Sequence, residues 1–202
     1  MRIVIIGATG TIGGAVAAAL RGTHEIVAVS RSAGDHRADI VDKASIEKAF
    51  AAIGKVDAIV CAAGGAVFKP LAALSDADFE KCLRDKLMGQ VNVVRVGSRY
   101  IRPGGSIPIT SGVLAQEPMP GAAAISLVNA GLEGFGRAAA LELKGDNVRV
   151  NVVSPPWVSE TLVALKMDPA NGLPAAEVAK AYVRSVTSDA TGQIIDARRL
   201  PS

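Results

Sequence analysis

The sequence predicts an α/β fold in which about seven strands form a doubly wound parallel sheet with helices on both faces. Half of the 202 residues are hydrophobic but only 3% are aromatic, so Ala, Val, Ile and Leu must fill the core, as is typical between helices and a parallel sheet. Short Val- and Ile-rich runs alternate with helical segments along the chain. Because no linker or repeat interrupts this alternation, we expect a single domain spanning residues 1–202.

The first half of the chain supplies three strands and two helices. Strands are predicted where short apolar runs occur, at residues 2–6, 25–29 and 56–60. An Ala-rich first helix runs from about residue 10 to residue 20. The second helix follows Asp42 and ends near Gly54, a residue type that favours helix termination.

The second half supplies the remaining strands and two long helices. Strands are predicted at residues 105–110 and 148–153 and, after a turn, within residues 191–196. Long helices are predicted from about Asp76 to Tyr100 and from about Ala122 to Lys144; the sequence Pro103-Gly104-Gly105 stops the first. The second is apolar around much of its circumference, so the sheet cannot cover all of it. We therefore predict a homodimer or homotetramer in which the two long helices pack against their symmetry mates.

Composition and the chain ends disfavour several classes of partner. Lys and Arg are scattered despite a formal net charge of +3, so we expect no nucleic-acid partner. Met1 and Arg2 lead directly into a short apolar strand, which predicts neither a signal peptide nor a membrane span and suggests a cytoplasmic protein. Cys61 and Cys82 lack metal-ligand spacing, so we expect buried free thiols and no metal site. The tail, residues 197–202, is expected to fray.

A glycine-rich turn, Gly7-Ala8-Thr9-Gly10-Thr11-Ile12-Gly13, joins the first strand to the first helix. Gly7 permits a tight turn, Gly10 lets backbone N–H groups approach a pyrophosphate, and Gly13 lets helix and strand pack closely. The helix N-terminus adds a partial positive charge that faces the phosphates. In this context the pattern predicts a dinucleotide site. Its candidate residues are Gly7, Thr9, Gly10, Thr11, Ile12 and Gly13.

The end of the second predicted strand distinguishes between the two nicotinamide dinucleotides. An acidic residue there would accept hydrogen bonds from the ribose hydroxyls of NAD, but this chain has Ser30-Arg31-Ser32. A guanidinium between two hydroxyls suits a 2′-phosphate, because Arg is a planar fork of donors and no acidic group repels the anion. We therefore predict NADP(H) as the cofactor; the alternative is that Arg31 is a solvated surface residue.

Together these motifs resemble the short-chain dehydrogenase/reductase family, which implies a Rossmann-type fold. The resemblance spans nearly the whole chain, and it rests on the glycine turn, Ser30-Arg31-Ser32, Asp39-Ile40, Ala62-Ala63-Gly64, the Ser111 segment and Asn151-Val152-Val153-Ser154-Pro155. It implies that Asp39 and Ile40 hold the adenine. It places Ala62, Ala63 and Gly64 under the nicotinamide ribose, and it surrounds the carboxamide with Pro155, Val158 and Thr161. Pro156 stands where the family pattern has Gly.

The catalytic motif of that family is only partly present. In the family a Tyr transfers the substrate proton, a Lys four residues later lowers the pKa of that Tyr, and a Ser orients the substrate carbonyl. Hydride transfer to a carbonyl needs such a proton donor. Ser111 occupies the Ser position, whereas Ile125 and Asn129 stand at the Tyr and Lys positions. Neither Tyr100 nor Tyr182 precedes a Lys by four residues.

In the absence of that Tyr and Lys, the candidate catalytic residues are Ser111, Lys86 and Asn129. Lys86 stands where the family carries an Asn that holds a relay water. Its ammonium could replace the missing Lys, or it could be solvated or contact a phosphate. Ser111 could orient a carbonyl, or it could satisfy backbone groups at a strand end. Asn129 could hydrogen-bond the nicotinamide ribose without lending charge.

These residues leave more than one function open. The first is an NADP(H)-dependent oxidoreductase acting on a small carbonyl, alcohol or enone, in which Ser111, Lys86 or a water supplies the proton. The alternative is a non-catalytic NADP(H)-binding module that reports redox state to a partner protein, and a third is an isomerase or lyase on the same scaffold. Residues 117–120 and 157–166 are mainly apolar and are expected to form the walls of a substrate pocket.

Overall fold

At the centre of the structure, parallel strands form one sheet. The computed structural model describes residues 1–200, and within that range the strands are β1 (Arg2–Ile6), β2 (Glu25–Ser30), β3 (His36–Arg37), β4 (Val56–Cys61), β5 (Ile101–Thr110), β6 (Arg149–Ser154) and β7 (Ile194–Asp196). Their order is β3-β2-β1-β4-β5-β6-β7, and every pairing is parallel. The order reverses between β1 and β4, which opens a crevice at the C-terminal ends of these strands. The predicted fold class is confirmed.

Helices cover both faces of the sheet. They are α1 (Thr11–Leu20), α2 (Lys43–Ile53), α3 (Asp76–Cys82), α4 (Gly89–Gly97), α5 (Ala123–Glu142), α6 (Ser159–Ala164) and α7 (Ala175–Thr187). The helices α1 and α7 pack on one face, and α2, α4 and α5 pack on the other. The central strand β1 is buried on both sides, since Ile3 and Ile5 face one layer while Val4 and Ile6 face the other. Burial on both faces explains why this strand is a continuous apolar run.

The first predicted long helix has an irregular middle. A π-helical segment, Leu83–Met88, joins α3 to α4, so one helical rod extends from Asp76 to Gly97. Ser75 caps its start through a reciprocal pair of hydrogen bonds with Asp78, which satisfies backbone donors that a helix N-terminus leaves free. Wide π turns inside helices occur often at functional sites. This one carries Lys86.

Two strands differ from the sequence prediction. The two-residue edge strand β3, which contains His36, lies where the sequence predicts no strand. The strand β5 begins at Ile101 rather than at residue 105, because Ile101 pairs with Val56 before the register shifts and Ser106 pairs with Ala58. The Pro-Gly-Gly sequence therefore forms an irregularity inside this strand, in addition to following the helix.

The described part of the C-terminal tail is held in place, so the expectation that it frays is wrong for residues 197–200. The backbone N–H of Ala197 donates to the carbonyl of Ser154 over 3.1 Å. The guanidinium of Arg198 pairs with both carboxylate oxygens of Glu117, at 2.6 and 2.8 Å. Pro201 and Ser202 lie outside the described residues. Among the helices of residues 1–200, none combines the length and apolar character needed to cross a membrane.

Candidate functional site

The turn between β1 and α1 requires glycine at two positions. Gly7 has a φ of +88°, and a Cβ there would lie 2.6 Å from the carbonyl oxygen of Ala62. A Cβ on Gly13 would lie only 2.1 Å from the carbonyl oxygen of Gly7. The N-terminus of α1 therefore lies close to the end of β1, and a helix N-terminus in this position suits a phosphate group.

A cavity of about 470 Å³ lies beside this turn at the C-terminal ends of β1, β2 and β4. It brings together most of the sequence-predicted cofactor residues, which come from four separate segments of the chain. Those in its lining are Gly7, Thr9, Gly10, Ser30, Arg31, Ser32, Asp39, Ile40, Ala62, Ala63 and Gly64. Thr11 and Gly13 line neither this cavity nor the one next to it within residues 1–200, since Gly13 sits behind the turn.

The polar side chains at the end of β2 differ in their contacts. The Ser30 hydroxyl donates to the carbonyl of Ala33 and accepts from the N–H of the same residue, so this side chain shapes the turn. Arg31 and Ser32 remain exposed at the cavity wall. Arg84, which no sequence motif indicates, also lines this cavity. Arg84 lies on the π-helical segment, where its Nε donates to the carboxylate of Asp85, another lining residue, over 3.2 Å.

A second cavity of about 190 Å³ continues from the first, and the two share the walls formed by Ala62, Ala63 and Gly64. All three candidate catalytic residues, Ser111, Lys86 and Asn129, line it. Its other sequence-predicted members are Ile12, Ile125, Pro155, Val158 and Thr161. Trp157 forms part of the apolar wall as expected, but within the described chain residues 117–120 do not, and Val113 and Leu114 stand there instead.

Lys86 is buried inside the protein and forms part of the lining of this second cavity. Its Nζ donates to the main-chain carbonyl of Ser111 over 3.0 Å. Burial removes water from the ammonium and lowers the pKa of Lys86 to about 8. The alternative of a solvated lysine is therefore wrong. Gly64 permits this approach, because a Cβ there would lie 3.0 Å from the Lys86 Cα.

Ser111 lies at the end of β5 and is fixed by a carboxylate that the sequence analysis missed. The Ser111 hydroxyl donates to Oε1 of Glu133 over 3.1 Å, and the Gln116 side chain donates to the other carboxylate oxygen. Ser111 and Glu133 are both buried. Helical spacing could have indicated Glu133, since it follows Asn129 by four residues on α5 and therefore shares its face.

Asn129 carries an unsatisfied acceptor. Its Nδ2 donates weakly to the carbonyl of Gly112 over 3.4 Å. Its Oδ1 is buried, and among the described residues it has no hydrogen-bond partner. A buried polar atom without a partner is costly. The cavity therefore offers a place for a ligand that brings an N–H or O–H donor.

A third residue that the sequence did not indicate, Gln90, holds the strand end that precedes Ser111. Its side chain donates to the carbonyl of Thr110 over 2.8 Å and accepts from the N–H of the same residue over 2.7 Å. The phenol of Tyr182 lies 2.6 Å from Thr110 Oγ1. Burial raises the pKa of Tyr182 above its usual range, so this tyrosine is a structural residue and an unsuitable proton donor.

Both cysteines are free and buried, as the sequence predicts. Burial raises the pKa of Cys61 to about 12, which leaves its thiol unreactive at neutral pH. Neither cysteine lines the two cavities of the described chain.

Comparison with known proteins is consistent with this architecture. A family model described as enoyl-(acyl carrier protein) reductase matches residues 9–195. The solved structure of the protein lin1944 from Listeria innocua is 35% identical, with a TM-score of 0.92 over 97% of this chain and 98% of that one. A small-chain dehydrogenase solved in complex with NADPH is 26% identical, with a TM-score of 0.85 over 97% of this chain and 95% of its own.

The matches to curated relatives cover a smaller part of each chain. Hydroxynaphthalene reductase arp2 from Aspergillus fumigatus is 28% identical over 141 residues. This match covers 68% of the present chain but only 52% of the relative. The chain thus spans about half the length of that relative.

Proposed function

Since the chain belongs to the short-chain dehydrogenase/reductase family, we propose that it is an NADP(H)-dependent oxidoreductase that interconverts a small carbonyl compound and an alcohol. The observation that carries the proposal is the buried ammonium of Lys86, which reaches Ser111 in a cavity continuous with the larger one. A buried lysine in such a cavity is typical of catalytic chemistry. It favours an enzyme over the alternative of a non-catalytic redox sensor.

The two adjoining cavities together suit an NADP(H) molecule. The glycine turn would hold the pyrophosphate, and Arg31 with Ser32 would bind the 2′-phosphate. The nicotinamide half would extend past Gly64 into the smaller cavity, where a ribose hydroxyl would supply the donor that Asn129 Oδ1 lacks among the described residues. The NADPH bound to one similar solved structure supports this choice of cofactor.

Lys86 takes the chemical role that Ile125 cannot perform. When bound, NADPH supplies a hydride to the carbonyl carbon. Lys86 donates a proton from Nζ to the carbonyl oxygen, and it regains that proton from solvent. A general acid is most effective when its pKa lies near the working pH, and the pKa of about 8 for Lys86 meets this condition.

The proposal is tested by titrating the purified protein with NADPH and by following NADPH oxidation with aldehydes, ketones and enones. We expect NADPH to bind and to be consumed with at least one carbonyl class. Binding of NADPH with no turnover above background across the panel would overturn the oxidoreductase and favour the sensor. Absence of NADPH binding would overturn both functions.

Replacement of Arg31 by Asp is expected to weaken NADPH binding by about ten- to a hundredfold and to change NADH binding much less. A hydrogen bond to a charged group contributes about 1.5–3 kcal/mol, and NADH lacks the 2′-phosphate that Arg31 would bind. Fluorescence titration with each cofactor measures the two dissociation constants. Arg21→Asp is the matched control, because Arg21 is an exposed arginine at the far end of α1; an equal loss in both variants would refute the assignment.

We also propose that the protein is a homodimer or homotetramer built on the two long helices. Leu127 and Leu141 of α5 are 50% and 76% exposed, and contact between α5 and its symmetry mate would bury this apolar surface. Analytical ultracentrifugation is expected to show an oligomer, and Leu141→Asp is expected to shift it towards monomer. Leu165→Asp, an exposed leucine outside the long helices, is the control. A wild-type monomer at micromolar concentration would contradict the proposal.

A further inference from the structure

The hydrogen bond between Ser111 and Glu133 fixes the direction in which the Ser111 hydroxyl donates. An ionised carboxylate only accepts hydrogen bonds. Both oxygens of Glu133 face donors, one from Ser111 and one from Gln116. The single proton of the Ser111 hydroxyl is therefore directed at Glu133. Towards the cavity, Ser111 Oγ offers only its lone pairs.

This direction conflicts with the role that the family resemblance implies for Ser111. A carbonyl oxygen is also an acceptor, so it cannot pair with Ser111 Oγ while the proton points to Glu133. Two acceptors facing each other in a buried site leave both unsatisfied, which is unfavourable. A ligand hydroxyl, which can donate, satisfies Ser111 Oγ.

The donor for a carbonyl oxygen comes from Lys86. Its Nζ uses one N–H on the main-chain carbonyl of Ser111, and an ammonium has three. The remaining N–H groups of Lys86 can donate, and the lone pairs of Ser111 Oγ can accept. These groups lie close together, because Lys86 already bonds to the main chain of Ser111, and both residues line the smaller cavity. Two neighbouring oxygens of a ligand, a carbonyl and a hydroxyl on the adjacent carbon, complement this pair.

We propose that the pocket selects α-hydroxy carbonyl compounds, whose carbonyl oxygen accepts from Lys86 and whose hydroxyl donates to Ser111 Oγ. This inference rests on the proposed function and names its substrate class. In the reduction, the hydride of NADPH forms a C–H bond at the carbonyl carbon and the C=O π electrons move to oxygen. The oxygen takes a proton from Lys86, and the products are a 1,2-diol and NADP⁺. Glu133 touches no reacting atom and is a positioning residue.

The experiment compares matched pairs of ketones that differ by one hydroxyl: hydroxyacetone with acetone, and 3-hydroxy-2-butanone with 2-butanone. For the wild-type protein with NADPH, kcat/KM is expected to be at least about tenfold higher for the hydroxylated member of each pair. A site that hydrogen-bonds a substrate hydroxyl discriminates strongly against the analogue that lacks it.

Two variants test the part played by Glu133. In Glu133→Gln, the amide can donate to Ser111 Oγ and release the serine proton into the cavity, so the preference is expected to fall at least about tenfold, with the Kd for NADPH unchanged. Ser111→Ala is expected to lose the preference as well. Glu142→Gln, an exposed glutamate on the same helix, is expected to keep the wild-type ratio. A purely structural role for Glu133 would lower both ketone rates equally and leave their ratio unchanged.

The outcomes separate this inference from the proposed function. Equal kcat/KM values for the two members of each pair would overturn the substrate class and leave the oxidoreductase intact. Turnover of other carbonyls or enones but of none of these four ketones would also overturn the substrate class and leave the oxidoreductase intact. Loss of the preference in Glu142→Gln would overturn the role of Glu133.

Discussion

Replacement of Lys86 by Met is expected to lower kcat/KM for carbonyl reduction by about 10²–10⁴-fold, the usual contribution of a general acid. Met has a similar length and no proton to give. The variant should still bind NADPH, because the glycine turn and Arg31 lie in the other cavity. Steady-state kinetics and a fluorescence titration measure the two effects separately.

If Lys86 is the general acid, the rate of reduction should depend on pH. Since only the ammonium can donate a proton, reductive kcat/KM of the wild type should fall as the pH rises through about 8, the pKa of Lys86. Lys86→Met should lose this step from its pH profile. Lys81→Met, an exposed lysine on the preceding helix, should retain both the rate and the step. Wild-type kcat/KM in Lys86→Met would show that the proton comes from another group.

Loss of activity in Lys86→Met should not reflect unfolding. The folded-state pKa of Lys86 is lowered by burial from 10.5 to about 8, so the folded chain binds this proton less tightly than the unfolded chain. The resulting destabilisation, roughly 3 kcal/mol, is present below pH 8 and disappears as the pH rises from about 8 to above 10.5. At pH 7 the Tm of the Met variant should therefore equal or exceed that of the wild type. A large fall in Tm would contradict this account.

Replacement of Gly13 by Ala is expected to abolish measurable NADPH binding, a loss of at least about a hundredfold. The added Cβ would lie 2.1 Å from the carbonyl oxygen of Gly7 and 2.6 Å from its carbonyl carbon. Both are backbone atoms, so α1 must move away from β1, and this movement displaces the N–H groups that would face the pyrophosphate. Calorimetric titration with NADPH measures the loss.

Gly14→Ala is the matched control for this prediction. A Cβ on Gly14 would meet its nearest atom, the carbonyl oxygen of Ala8, at 3.6 Å, an ordinary contact. Because Ala is a better helix former than Gly by about 1 kcal/mol, this variant should bind NADPH normally and unfold at a slightly higher temperature. If Gly13→Ala folds and binds NADPH as tightly as Gly14→Ala, the close approach at Gly13 is not needed for the site.

Much of the fold was predictable because it follows from patterns among residues that are close together in the sequence. Residues 2–13 combine a buried apolar strand, a turn that only glycine can make at Gly7, and a helix start, and all three signals are contiguous in the chain. The seven-stranded parallel sheet follows from the alternation of strands and helices. Edge strand β3 was missed because two residues are too few to show a period. The start of β5 was misplaced because Pro and Gly usually end a strand.

The sequence determined the fold class and the glycine turn, and it predicts that Ile125 and Asn129 stand at the Tyr and Lys positions of the family motif. It could not show that Lys86 is buried, because burial depends on how a π-helical segment packs against the strand ends. Nor could it show that Glu133 accepts a hydrogen bond from the Ser111 hydroxyl, since the two are 22 positions apart and meet only after α5 packs on the sheet. Tertiary structure decided these points because pKa and hydrogen-bond direction depend on neighbours in space.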